Sequence, residues 1–339
     1  MASVTVVGAS GYLGSELLRI LVNHPKVDKI VAVSRTYAGK PVSSLHKNLL
    51  GVFDQEFVDL DLDRIDTDLA FFAAPPGEWF AKLPGVLDRG VKAITLGGKF
   101  RIKDAAIDKE TYGGYENPEL LDERVYGLPE IYRKEIKKAR FVTNPGCYAT
   151  SVILGIKPLA DFKDSIDLQK VAITAVSGTS GAGATPSEKM HHPEVSGNVR
   201  PYNTTFHRHT PEIESILNES FKKLRISFVP VVADIKRGIV ASITLYAHSL
   251  DADLAKHYRS HYKTEPFVRI TPEVPEMANV VGSNYCDISA AYDPKIKRIL
   301  VISSIDNLLK GGSGQAVQNM NIMMNYDEKE GLHMLGGHP

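Results

Sequence analysis

Cys147 stands in the segment NPGCYATS, directly after an Asn-Pro-Gly turn and before apolar residues at helical spacing. A cysteine at the start of a helix lies among free backbone amides at the positive end of the helix dipole, and both favour the reactive thiolate. We therefore predict that Cys147 is a nucleophile, the alternative being a small buried hydrophobe. Cys286, inside the alternating segment NYCDISAAYD, fits that alternative, and we assign it no chemistry.

Two histidines in HRHTPEIE can exchange protons near neutral pH, as a cysteine nucleophile requires. His207 and His209 are two positions apart, so on an extended chain they share one face. Thr210 is predicted to cap a following helix, with Pro211 in its first turn and Glu212 near the positive end of its dipole. The segment predicts an acid or base, either His209 or His207, and the alternative is a pair of surface histidines.

A glycine-rich turn, GASGYLG at 8–14, follows the first apolar strand and opens a helix. Glycines there let the backbone turn sharply and approach a pyrophosphate, whose charge meets the free amides of the helix. After the next strand comes Ser34-Arg35-Thr36, which suits a 2′-phosphate and favours NADP over NAD, unless Arg35 is an ordinary surface charge. The predicted cofactor contacts here are Gly8, Ser10, Gly11, Tyr12, Leu13, Gly14, Ser34 and Arg35.

Two further loops, SGTSGAGA at 177–184 and DNLLKGGSGQ at 306–315, can present hydroxyls and amides to an anion, although both could equally be plain turns. From them we predict cofactor contacts at Ser177, Gly178, Asn307 and Gly311. The lysine of the second loop precedes its glycines, so it is not a phosphate-binding loop of the Walker type.

Histidines are frequent between 191 and 209, but HHPE and HRH lack the spacing of a zinc site, so no metal is predicted. We interpret Lys189, His191, His192 and Arg200 as a locally basic loop, the alternative being a solvated turn. The predicted substrate or partner contacts are Asn144, Ser180, Lys189, His191, His192, Arg200 and Arg208.

These residues must be positioned by alternating elements. The segment 3–35 reads as strand, glycine turn, helix and strand, which is one βαβ unit, and the alternation runs to about residue 145. Longer β-rich runs follow, and a last helix in SGQAVQNMNIMMNY could return to the first domain. The fold class is α/β: a Rossmann doubly wound NADP-binding domain, 1–146 with 308–339, plus an α+β mixed-sheet catalytic and dimerisation domain, 147–307.

Composition narrows the class of protein. Lys and Arg total 40 and Asp and Glu total 40, so no net field attracts nucleic acid or an anionic membrane. Two cysteines cannot build a disulfide framework, which favours a reducing compartment. The apolar run Val4 to Val7 is too short for a signal peptide or a membrane span, so we expect a cytoplasmic protein.

The chain resembles the N-acetyl-gamma-glutamyl-phosphate reductase family of the semialdehyde dehydrogenases over nearly its whole length. The matches are GASGYLGSELLRIL, SRTYAGKPVS, YGLPE, NPGCYATS, SGTSGAG, HRHTPEI and IDNLLKGGSGQAVQNMN. The resemblance implies NADPH-dependent reduction of an acyl phosphate through a Cys147 thioester, with His209, or else His207, as the base. It also implies a homodimer or homotetramer.

MHHPEVSGNVRPYN and EPFVRI look more like the lysine-pathway branch, which reduces aminoadipyl phosphate carried by the small acidic protein LysW. Some members of that branch also take carrier-bound glutamyl phosphate, and a basic loop would fit an acidic carrier. The alternatives are the free N-acetylglutamyl substrate of arginine biosynthesis and a non-enzymatic NADP-binding sensor. Lys99 and Pro76 depart from the family pattern, so no role is transferred to either position.

Overall fold

The computed structural model describes residues 1–59, 61–75, 77–114 and 117–338. Pro76, where the sequence departs from the family pattern, lies outside these ranges. The chain forms two compact units: unit 1 comprises 1–145 and 312–333, and unit 2 comprises 146–311 and 334–339.

Unit 1 is built on parallel strands that are mostly buried, as expected for a sheet covered on both faces, and only the edge strand 27–33 has exposed residues. Its strands are β1 Ala2–Val7, β2 Val27–Val33, β3 Leu69–Phe72, β4 Lys92–Thr95, β5 Val125–Tyr126 and β6 Phe141–Thr143. They pair in parallel in the order β2-β1-β3-β4-β6-β5. The order reverses at β1, and the crevice outside the carboxyl ends of β1 and β3 is where such sheets bind ligands.

Helices connect these strands. They are α1 Tyr12–Leu21, α2 Val42–Leu45, α3 Glu78–Asp88, α4 Ala105–Tyr112, α5 Leu120–Glu123 and α6 Pro129–Ile136. In α1, Leu17, Leu18 and Leu21 recur at helical spacing and are buried. This apolar face fixes the helix against the sheet, so its amino end is held at the end of β1.

Unit 2 contains a mixed sheet in the order β11-β12-β13-β10-β7-β9-β8. Its strands are β7 Val171–Ser177, β8 Val199–Pro201, β9 Ile226–Ala233, β10 Ile239–Tyr246, β11 Val268–Ile270, β12 Cys286–Asp293 and β13 Arg298–Ile305. Its helices are α7 Cys147–Ile156, α8 His192–Val195, α9 His209–Phe221 and α10 Leu254–His261. All residues of α7 after Cys147 are buried, and the helix packs against β10, β13 and α9.

The last helix, α11 Ser313–Met323, belongs to unit 1, where it contacts α1 and α6. Every residue of α11 is buried, including polar ones. The side-chain amide nitrogens of Gln315 and Asn319 both donate to the carbonyl of Gly127. No helix within the described ranges is both long and apolar enough to span a membrane.

Candidate active site

The thiol stands where the sequence predicts, at the first residue of a helix. α7 begins at Cys147, and Gly146 before it is extended, with φ −69° and ψ 150°. The side chain of Cys147 is half-buried. The first amides of a helix have no carbonyl partner within it, and they create a positive potential around the sulfur.

Gly311 packs directly against this thiol. A Cβ built on Gly311 would stand 2.7 Å from the Cβ of Cys147, so any larger residue would displace the nucleophile. The turn that presents Gly311 is held by buried Asp306, whose Oδ1 accepts the amides of Leu308 and Leu309. The cofactor contact predicted for Gly311 remains a prediction, but the structure explains the glycine by its contact with the cysteine.

A cavity of about 350 Å³ opens at the thiol within unit 2. Six of the predicted site residues line it: Cys147, Ser177, Gly178, His207, Arg208 and His209. Side chains that the prediction missed complete the lining, among them Tyr148, Met190, Tyr202 and Phe206. The structure therefore gathers segments that are far apart in sequence around one sulfur atom.

The two histidines lie side by side, with ring centroids 4.9 Å apart. The amide of His209 donates to Nδ1 of His207 at 3.2 Å, which places the proton of neutral His207 on Nε2. Burial, reinforced by the charge of Arg208, lowers the pKa of His207 to about 4. His207 is therefore a neutral hydrogen-bond donor near pH 7, a role distinct from that of a proton-exchanging base.

The start of α9 corrects one prediction. Arg208 already has helical angles, φ −55° and ψ −23°, so the helix begins at His209 and Thr210 lies inside its first turn. The amide of Thr210 donates to the carbonyl of His207. Thr210 is therefore not the cap, because the helix begins at His209, two residues before Pro211, where a Thr210 cap would start it.

Glu212 is the residue that the prediction undervalued. It is fully buried, and its Oε1 accepts the amide of Gly146 at 2.8 Å, immediately before Cys147. A carboxylate bound there fixes the turn that presents the thiol and links α9 to the start of α7. The sequence contained a signal, since Glu212 is three residues after His209 and so shares its helix face.

The two predicted anion loops contact each other through Asn307. Its Nδ2 donates to the hydroxyl of Ser180 at 3.0 Å, and its Oδ1 accepts the amide of Gly238 at 2.7 Å. Asn307 is thus used to hold the loop 177–184 in place. Ser177 and Gly178 line the cavity, whereas Ser180 does not.

The loop predicted to be basic is not basic. The negative charges of Glu188 and Glu194, which the prediction did not count, balance the positive charges of Lys189 and Arg200. Lys189, His191 and His192 are exposed and do not line the cavity, and Arg200 donates to the carbonyl of Lys189 at 2.7 Å. The loop contacts the cavity through Met190.

In unit 1, the glycine turn connects β1 to α1. Gly8 has φ +83°, and a Cβ there would stand 2.5 Å from the amide nitrogen of Ala74, after β3. A Cβ on Gly11 would meet only the carbonyl of Gly8, at 3.6 Å, so this face of the turn is open. An open glycine at a helix amino end is the cradle that a pyrophosphate needs.

Other residues around the turn are placed as follows. The hydroxyl of Ser34 donates to that of Ser10 at 2.9 Å, which joins the end of β2 to the turn. Arg35 and Tyr12 are exposed, and the carbonyl of Leu13 accepts the hydroxyl of Ser313. Nε2 of buried His46, which the prediction missed, lies 2.8 Å from the carbonyl oxygen of Ala9.

The substrate contact predicted for Asn144 stays a prediction. Its side chain is buried in unit 1, where Nδ2 donates to the carbonyl of Gly312 and Oδ1 accepts from Asn319. These bonds hold the end of β6 to α11. Lys99 places its ammonium 4.6 Å from the centre of the Phe80 ring, a cation–π contact within unit 1.

The fold and these sites define the class: a two-domain α/β oxidoreductase with a dinucleotide-binding turn and a cysteine at a helix start. Residues 3–139 match the NAD-binding domain of semialdehyde dehydrogenases, and residues 147–307 match their dimerisation domain. The chain belongs to the semialdehyde dehydrogenase family. This confirms the predicted fold, the predicted enzyme class and the nicotinamide dinucleotide cofactor, and the dimerisation domain supports a homo-oligomer.

Individual relatives support this family assignment. The N-acetyl-gamma-glutamyl-phosphate reductase of Methanocaldococcus jannaschii is 43% identical over 347 residues, covering 100% of both chains. That of Desulforamulus reducens is 41% identical, again over 100% of both. The crystal structure of aspartate semialdehyde dehydrogenase II from Vibrio cholerae has a TM-score of 0.71 at 16% identity, covering 96% of this chain and 99% of that one, and shows the fold alone.

Proposed function

We propose that the protein reduces free N-acetyl-gamma-glutamyl phosphate to its semialdehyde with NADPH, releasing phosphate. The observation that carries this proposal is Cys147, which stands at a helix start against Gly311 in a cavity lined by His207 and His209. The names of relatives more than 40% identical over the full length support the free substrate. This differs from our first interpretation, the carrier-bound substrate.

In the first half of the reaction, the Cys147 thiolate forms a bond to the acyl carbon, the bond from that carbon to the phosphate oxygen breaks, and phosphate leaves. A thioester remains on Cys147. Amides at the start of α7 stabilise the oxyanion that develops on the acyl oxygen. Covalent catalysis divides one difficult substitution into two easier steps.

In the second half, NADPH, when bound, supplies the hydride that reduces the thioester carbon. His209 gives a proton to the oxygen, which makes a thiohemiacetal on Cys147. His209 then takes that proton back while the carbon–sulfur bond breaks, so the semialdehyde leaves and the thiolate is restored. Neutral His207 donates a hydrogen bond from Nε2 and orients the substrate.

NADPH rather than NADH is proposed because of Ser34 and Arg35. The open face at Gly11 accepts the pyrophosphate, and the exposed guanidinium of Arg35 at the end of β2 has the charge and planar shape that suit a 2′-phosphate. No acidic residue occupies Ser34-Arg35-Thr36, where an NAD-selective site would use one to bind the ribose hydroxyls.

A carrier-bound substrate is the second candidate. It is favoured by the exposed loop of Lys189, His191 and His192, because Met190 within this loop lines the cavity and Phe206, also in the lining, is 54% exposed. A carrier such as LysW could contact this rim while its acyl phosphate entered the cavity. The balanced charge of the loop removes the electrostatic argument for an acidic partner.

The deciding experiment follows NADPH oxidation with two substrates at equal concentration: free N-acetylglutamyl phosphate, and aminoadipyl or glutamyl phosphate attached to LysW. Turnover of the free compound supports the proposal. Turnover of the carrier-bound compounds alone would overturn it in favour of the second candidate. If NADPH binds but is oxidised with none of these substrates, acyl-phosphate reduction is refuted.

A further inference from the structure

Unit 2 contains a second cluster of reactive side chains, apart from the cavity. Nitrogen or oxygen atoms of Asp161, His257 and His261 all lie within 4.8 Å of one another. His257 and His261 are one turn apart on α10, so both point to the same side of the helix. Asp161 comes from the 3₁₀ helix Lys157–Ser165, which continues directly from α7. Within the described ranges, no other His, Cys, Asp or Glu side chains meet in this way.

We propose that Asp161, His257 and His261 bind a divalent transition-metal ion, with Zn²⁺ the best match. Two imidazoles and one carboxylate are a ligand set that zinc accepts, with water completing the tetrahedron. In such a site the ligand atoms are about 3.3 Å apart, since each bond is roughly 2.0–2.2 Å long. Nε2 of His257 and Oδ2 of Asp161 are already 3.5 Å apart. The ligand atoms lie within 4.8 Å of one another, so the cluster must close by about 1.5 Å at most around the ion.

The surroundings of His257 both compete for its ring and orient it. Nε2 of His257 lies 2.8 Å from the carbonyl oxygen of Pro158 and 3.5 Å from Oδ2 of Asp161, so the ring must turn away from Pro158 before this nitrogen binds the ion. Phe162 packs edge-on against the His257 ring at 4.7 Å and fixes its orientation. His257 is half-buried, whereas Asp161 and His261 are exposed, so an ion can reach the cluster from solvent.

One charge opposes the ion. Lys157 lies close enough to act on His261, and its ammonium donates to the hydroxyl of Ser220 at 2.7 Å. The site should therefore bind less tightly than a four-ligand structural zinc site. A bound ion would tie α10 to the segment that follows α7, and so would stabilise unit 2 against unfolding.

The test uses Co²⁺ as a coloured probe and Zn²⁺ in calorimetry. Cys147 is replaced by serine throughout, because a thiolate also binds these ions. Cys147→Ser should bind one equivalent of Co²⁺ with the visible spectrum of nitrogen and oxygen ligands. His261→Asn and Asp161→Asn should each weaken binding at least about tenfold. His248→Asn removes an exposed histidine outside the cluster and should leave the affinity unchanged.

Circular dichroism first shows that each variant is folded. Unchanged affinity in both His261→Asn and Asp161→Asn would overturn the proposal, and so would an equal loss in His248→Asn. If no ion binds to folded Cys147→Ser at all, the cluster is only a hydrogen-bonded contact between α10 and the segment 157–165.

Discussion

The glycine turn of unit 1 and the cysteine cavity of unit 2 are built from different parts of the chain. The turn is a single stretch of backbone, in which Gly8 and Gly11 are needed because they have no side chain. The cavity depends on side chains from separate segments, since Cys147, Ser177 and His207 reach it from three different elements. A site made of local backbone can be recognised in a sequence, whereas a site made of distant side chains needs the fold.

The difference also affects robustness. In the turn, a substitution acts through the volume of the added side chain and hardly through its chemical groups. In the cavity, a substitution that keeps the shape can still remove the charge or the nucleophile. The four variants below test this contrast, in order of expected effect.

Replacing the nucleophile should have the largest effect. Cys147→Ser keeps the shape but supplies a hydroxyl that is not ionised, so acyl-phosphate reduction should fall at least about 10⁴-fold. Fluorescence titration should show unchanged NADPH binding, because the glycine turn is in unit 1. The matched control is Cys286→Ser, where the buried sulfur already faces the hydroxyl of Ser303 and activity should change little. Full activity in Cys147→Ser would refute the covalent mechanism.

Glu212→Gln tests the side-chain support of the thiol. The amide keeps the shape but weakens the bond to the Gly146 amide, and a small displacement of Cys147 should lower kcat about 10²-fold with little change in KM. Glu214→Gln, on the same helix, loses the ion pair with Arg225 but keeps an amide oxygen that can accept from the Ile226 amide, so its activity should stay near wild type. Equal kinetics for the two variants would show that Glu212 has no positioning role.

Gly11→Ala tests the turn. Gly11 has φ −83° and ψ 173°, which alanine can adopt, so the fold should survive while the added methyl obstructs the pyrophosphate. We expect KM for NADPH to rise about tenfold or more, with little change in Tm. Gly85→Ala, at an exposed position inside α3, should leave KM unchanged and raise stability by about 0.5–1 kcal/mol. An unchanged KM in Gly11→Ala would mean that the dinucleotide does not approach this face.

The smallest effect concerns pH and stability. Because the pKa of His207 is about 4 when folded and 6.5 as its ordinary value, the unfolded chain takes up a proton first as pH falls. The stability from neutral His207 is thus complete above 6.5 and is lost towards 4, by about 2 kcal/mol between about pH 7.5 and about pH 5. Urea unfolding should show that His207→Asn reduces this loss, while exposed His191→Asn does not.

Sequence reasoning succeeded where the signal is local. The long strands β7, β9, β10, β12 and β13 follow apolar runs that the sequence displays, and the turn at Gly8 follows from its glycines. β5, β8 and β11 are two or three residues long, too short to show any alternation, and were missed.

The candidate site was predictable in part for the same reason. Cys147 and the histidine pair carry chemistry in their residue types. Glu212 acts through the Gly146 amide, a contact 66 positions away that no spacing rule shows. The substrate contact of Asn144 stays a prediction, and the bonds of its side chain to Gly312 and Asn319, which hold α11, are another such distant contact.

The position of α11 has a consequence for synthesis of the protein. Unit 2 is almost one continuous stretch of chain, but unit 1 lacks α11 until residues 313–323 have been made. On the ribosome, the surface that α11 covers therefore stays exposed to solvent until the stretch 146–311 of unit 2 and then α11 itself have been made.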